Sequence, residues 1–183
     1  MAILRSFGWG MGIGLLLGAG ATAQAVPASV SIASVKSSQE AQIQYQQAQS
    51  LIRLGNSRSA IQPLKTAIDL YRRAGDPVGE HNSLIELSFA HYRLGDYTRA
   101  QQALDQADRL VIPPTAAAVQ RNRGVLMQSL IWLEQGNITR SWQQLRQVQR
   151  GLIQDMAAKH RINLALGEIY RHTGQYDRAL DTL

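Results

Sequence analysis

The chain has 183 residues, a formal net charge of +6 and a sequence pI of about 10.1. That length suits one domain with a real core, and the basic excess is scattered, with no Lys/Arg run above two residues, so no nucleic-acid arm is expected. Cysteine is absent, which excludes disulfides, thiolate catalysis and Cys-ligated zinc and leaves the redox compartment open. Gln, Ala, Leu and Arg dominate and all favour helix, while β-branched runs are few; the predicted class is all-α.

Residues 1–25 form a separate segment. Arg5 is the only charge before Lys36, and "GWGMGIGLLLGAGATAQA" follows it. Ala23-Gln24-Ala25 puts small residues at the two positions a signal peptidase reads, so cleavage is expected before Val26. The mature protein is then secreted or periplasmic, without a stable membrane span. The alternative is an uncleaved membrane anchor, against which stands a short apolar centre at 13–17, when a span needs about 20 apolar residues. Residues 26–36, "VPASVSIASVK", read as a flexible linker.

From residue 37 the chain repeats. Four segments align on one glycine: "LGNSRSAIQPL" (54–64), "LGDYTRAQQAL" (94–104), "QGNITRSWQQL" (135–145) and "TGQYDRALDTL" (173–183). A small residue precedes each glycine (Ala48, Ser88, Ser129, Gly167), another follows it (Ala60, Ala100, Ser141, Ala179), and a leucine closes the unit (Leu64, Leu104, Leu145, Leu183). Glycine suits the left-handed residue that ends a helix, and Asn56, Asp96 or Asn137 then caps the next one, Gln175 being the exception. The small residues let two antiparallel helices approach, and the leucine fills the groove on the same face. Ser37-x-x-Glu40 reads as a capping box, Gly75-Asp76-Pro77 as a stop and start, and Thr115 as a cap after Pro113-Pro114. Arg150-Gly151 closes a helix, and Pro63 delays or kinks one. The repeats span about 37–75, 76–114, 115–155 and 156–183, the last incomplete. Its final helix is too short to cover Leu164, Leu166, Ile169 and Tyr170, so a longer solenoid or self-association through the C-terminal end is expected.

These residues resemble the tetratricopeptide repeat family, whose units carry small residues in both helices, a glycine at the turn and often an aromatic two residues later. Tyr97 and Tyr176 match that aromatic; Ser57 and Ile138 do not. The family's large first-helix residue corresponds to Leu51, His91, Trp132 and Tyr170. The glycines lie 40, 41 and 38 residues apart, longer than the usual repeat of about 34, which is similar to the kinesin-light-chain variant. The resemblance implies a right-handed α-solenoid of antiparallel helix pairs, about four of them. It implies a protein or peptide partner on a concave face formed by the first helices. The positions carried over to that face are Arg53, Asn82, Phe89, Tyr92, Arg93, Arg123, Arg161 and Arg171, tempered by Glu86, Glu134 and Glu168, with Tyr45 as a neutral contact. Arginine forks suit carboxylates, so the partner is expected to be acidic. The Lys and Asn set of the chaperone-tail clamp is missing, which disfavours that partner.

No chemistry is expected. His81, His91, His160 and His172 share no metal spacing, and no phosphate loop or Gly-x-Ser-x-Gly elbow occurs. The acids read as caps or exposed helix positions, so neither cofactor nor metal is implied. Asn137-Ile138-Thr139 is a formal glycosylation sequon at a turn; Trp132 is expected in the core and Trp142 partly exposed. The leading expectation is an exported non-catalytic adaptor. The alternatives are the N-terminal regulatory part of a longer exported enzyme of the caspase-like CHAT type, and a structural assembly subunit.

Overall fold

The computed structural model describes residues 32–149 and 155–181; the signal segment, Arg150-Gly151 and Leu183 lie outside them. Among the described residues there are eight helices and no strand: α1 (Ile32–Arg53), α2 (Ser57–Ala74), α3 (Pro77–Arg93), α4 (Tyr97–Asp108), α5 (Pro114–Glu134), α6 (Ile138–Gln149), α7 (Met156–His172) and α8 (Tyr176–Leu180). They pack in consecutive pairs. None of them is long and apolar enough to cross a membrane.

The glycine-centred turns share one hydrogen-bond pattern. Gly55, Gly95, Gly136 and Gly174 have φ of 82°, 74°, 80° and 73°, a region that costs any residue with a Cβ. In the first turn the Gly55 N–H donates to the Ile52 carbonyl and the Asn56 N–H to the Leu51 carbonyl. The same two bonds recur at Gly95, Gly136 and Gly174, so each turn satisfies two of the carbonyls a helix end leaves open. Asn56 then accepts from the Ser59 N–H at 3.3 Å and Asp96 from Arg99 at 3.1 Å, starting the next helix. Asp76 does the same for α3, with Pro77 behind it.

The small residues do more than leave room. Ala48, Ala60, Ala100, Ser88, Ser129 and Ser141 are all fully buried, as are Leu64, Leu104 and Leu145. The Ser88 hydroxyl donates to the Ala100 carbonyl at 2.8 Å, and the Ser141 hydroxyl to the Ser129 carbonyl at 2.7 Å. In these two pairs one small position thus donates a buried bond to the backbone of the other, while the Ser129 hydroxyl donates to the Val125 carbonyl of its own helix at 2.7 Å.

Several starts and ends differ from the sequence reading. α1 begins at Ile32, so residues 32–36 are helical and Ser37 lies inside the helix instead of capping it. No Pro or Gly intervenes between Ile32 and Glu40, and a helix anchored by packing extends at one hydrogen bond per residue fixed. Thr115 is likewise internal; α5 starts at Pro114, and the Pro113 carbonyl accepts from Ala116 and Ala117. α2 runs from Ser57 without delay and holds Pro63 within it. Trp132 is half-buried beneath the Arg140 guanidinium at 4.8 Å, outside the core, while Trp142 is 37% exposed as expected. Leu166, Ile169 and Tyr170 are buried, because α7 packs on α5 and α6 as well as on the short α8; Leu164 stays 48% exposed.

Each helix packs on the next, and the odd helices also touch one another in succession: α1 on α3, α3 on α5, α5 on α7. Among the described residues no even helix touches another even one. One face of the array is therefore a continuous surface of odd helices. The main core runs beneath it from Ala48 to Tyr170, and Ala41, Ala67 and Tyr71 form a small second cluster between α1 and α2.

Candidate functional site

The odd-helix face carries two adjoining depressions. The larger is a groove of about 650 Å³, within the range of ligand sites. Every residue lining it comes from α1, α3, α5 or α7. Phe89, Tyr92, Leu130, Leu133 and Leu164 supply an apolar floor, with Phe89 and Tyr92 stacked at 6.1 Å. Arg53 and Arg93 stand on the α1–α3 side, Glu134 and Glu168 on the α5–α7 side, with His160 and Arg161 also on α7.

The groove takes this form because the turn glycines fix the register of the helices. Phe89 and Tyr92 stand six and three residues before Gly95, and Leu130 and Leu133 hold the same places before Gly136. Arg53, Arg93 and Glu134 all stand two residues before their glycine. An array whose equivalent positions line up in space turns such matches into rows.

The smaller depression is a polar cavity of about 60 Å³, lined among others by Tyr45, Asn82, Glu86, Arg123, Asp155 and Arg161. Arg161 contacts Glu86 at 2.8 Å, and its guanidinium lies 3.7 Å over the Phe89 ring. Arg123 donates to Asp155 at 2.8 Å and to the Asn82 side-chain oxygen at 2.6 Å. These pairs tie α7 to α3 and α5. Asp155 also caps α7 through the Ala158 N–H at 3.0 Å. Burial alone would raise the Asp155 carboxyl, but the Ala158 N–H and Arg123 outweigh it and hold it below the usual carboxylate range. Burial, helped by the Glu86 charge, pushes the Tyr45 hydroxyl well above the ordinary tyrosine value. Tyr92 is raised in the same way, by burial first and then by its bond to Glu134 at 2.9 Å. Both tyrosines stay neutral; Tyr92 donates to Glu134, and Tyr45 accepts from the Gln49 side-chain amide at 3.0 Å.

The positions assigned from the resemblance divide. Arg53, Phe89, Tyr92, Arg93 and Arg161 line the large groove, and Asn82, Arg123 and Arg161 line the polar cavity. Arg171 lines neither: it is exposed on the last turn of α7, where Glu168 on the same helix accepts from it at 3.1 Å. Leu130, Leu133 and Leu164 were missed, although repeating the Phe89 and Tyr92 register onto α5 yields the first two. Asp155 was missed too; an Asp directly ahead of a helical stretch is the signal that reveals it. What the face offers is apolar area flanked by unlike charges.

No family model, no curated protein and no solved structure matches the chain.

Proposed function

We propose that the chain is a non-catalytic binding scaffold of the tetratricopeptide-repeat type, which takes an extended peptide or a helix of another protein along its odd-helix face. The observation that carries this is the composition of the groove wall. All four odd helices contribute, so the binding surface is as long as the array itself and no single helix pair forms it. Exposed Leu164 and half-buried Phe89, Tyr92 and Leu133 are what a partner's apolar side chains would cover.

A photo-reactive amino acid tests it when placed in turn at Tyr92, Leu133 and Leu164, and at Gln62 and Gln102 on even helices. Crosslinks to one defined partner from the groove positions alone are expected. Crosslinks confined to Gln62 and Gln102 would refute the reading.

A further inference from the structure

We infer that the segment held in this groove is acidic and amphipathic: a bulky apolar side chain rests on Phe89, Leu133 and Leu164, and a carboxylate lies between Arg53 and Arg93. The inference rests on the groove reading above and adds the chemistry and direction of the occupant. It begins from where the arginines of this face find their counter-charge. Arg123, Arg161 and Arg171 each have a carboxylate of the chain itself, in Asp155, Glu86 and Glu168. Arg53 and Arg93 have none among the described residues. Their hydrogen bonds go to neutral oxygens, the Ser50 hydroxyl at 2.9 Å and the Ile52 carbonyl at 3.0 Å.

The second of these bonds brings Arg93 of α3 to the backbone next to Arg53 of α1. Two permanently charged forks thus stand together, both exposed, on one side of the groove. Like charges so placed repel, and a carboxylate between them removes the repulsion and suits the fork geometry. The opposite side repels that same group. Glu134 and Glu168 line it, and Glu134 is held in place by the Tyr92 and Tyr97 hydroxyls at 2.9 and 3.1 Å. The occupant's carboxylate therefore points toward α1, and its neutral or basic part toward α5 and α7. A polyanion would meet those two glutamates along its length, so a nucleic acid or an anionic lipid surface fits worse than an acidic peptide with an apolar anchor.

Random 12-residue peptides displayed on phage are selected on the full 183-residue chain. Recovered peptides are then titrated by fluorescence anisotropy against wild type, Arg53→Gln with Arg93→Gln, and Leu164→Glu. All three substitutions fall at exposed positions, so the fold is kept, and unchanged melting checks it. Recovered peptides should carry Asp or Glu beside Trp, Phe or Leu. The double variant should bind them about tenfold more weakly at low salt and show a flatter salt dependence, and Leu164→Glu should also weaken them. Peptides that depend on Leu164 but lack acidic enrichment, or that bind the double variant unchanged, would overturn this inference and leave the groove reading intact. Peptides indifferent to Leu164→Glu, or no recovered peptide at all, would overturn both.

Discussion

Breaking the Glu86–Arg161 pair should cost far more than breaking an ion pair on the surface. The two side chains are 11% and 14% exposed and 2.8 Å apart, so both ions have lost most of their water. Glu86→Leu leaves the guanidinium against Phe89 with only the more distant Asp155 carboxylate, already paired with Arg123, and stranding one partner of a buried pair costs about 3 kcal/mol. Arg161→Met strands Glu86 at a similar cost. Replacing both removes both desolvation terms, so the double variant should lie within about 1 kcal/mol of wild type. Arg99 provides the control. Its contact with Asp96 is 3.1 Å but the side chains are 68% and 32% exposed, and Arg99→Gln should change stability by about 0.5 kcal/mol or less. Urea unfolding of the four variants reads these differences as shifts in midpoint at constant slope. If Glu86→Leu proves no worse than Arg99→Gln, the pair does not hold α7 in place and the reasoning fails.

Ala100→Leu should overpack the contact between α3 and α4, where the Ser88 hydroxyl meets the Ala100 carbonyl, and cost about 1–3 kcal/mol, with exposed Lys65→Ala as a silent control; equal melting temperatures for the two would refute the repeat register. His81 is 3% exposed, and burial, with the Arg123 charge beside it, lowers its pKa from 6.5 to about 4 against the pull of Gln120. The unfolded chain takes that proton first, so stability should fall as pH drops from about 6.5 to about 4, by up to about 3 kcal/mol, and this group contributes no further loss below that. A His81→Gln variant with the same loss of urea midpoint between pH 7 and pH 4.5 would contradict it.

The turns were legible in the sequence because their cause is local. A left-handed residue needs glycine, the next helix needs a short polar cap, and close helices need small side chains; Gly95, Asp96 and Ala100 meet all three within six residues. The start of α1 was not legible, because Ser37 and Glu40 form a good box only when a helix begins there, and nothing local prevents an earlier start. The apolar floor was half legible. Phe89 and Tyr92 announce themselves as aromatics, whereas Leu130 and Leu133 are ordinary helix leucines until the register is carried across from one turn to the next.

The arginines show where sequence reasoning stops. Arg93, Arg123 and Arg161 look alike along the chain, each assigned by the repeat register to the inner face of a first helix. Their roles diverge through partners brought from elsewhere: Glu86 reaches Arg161 across 75 residues, and Asp155 reaches Arg123 across 32. Those pairings depend on where the packing of α3 on α5 and of α5 on α7 sets the side chains of α7. Arg53 and Arg93 stay without a carboxylate because the residue in their row on α5 is Glu134, which the Tyr92 and Tyr97 hydroxyls hold on the far side of the groove. One residue type at repeating positions thus serves two ends. Where a carboxylate crosses to meet it, arginine ties two helices together; where none does, it leaves the charge that the proposed acidic segment would meet.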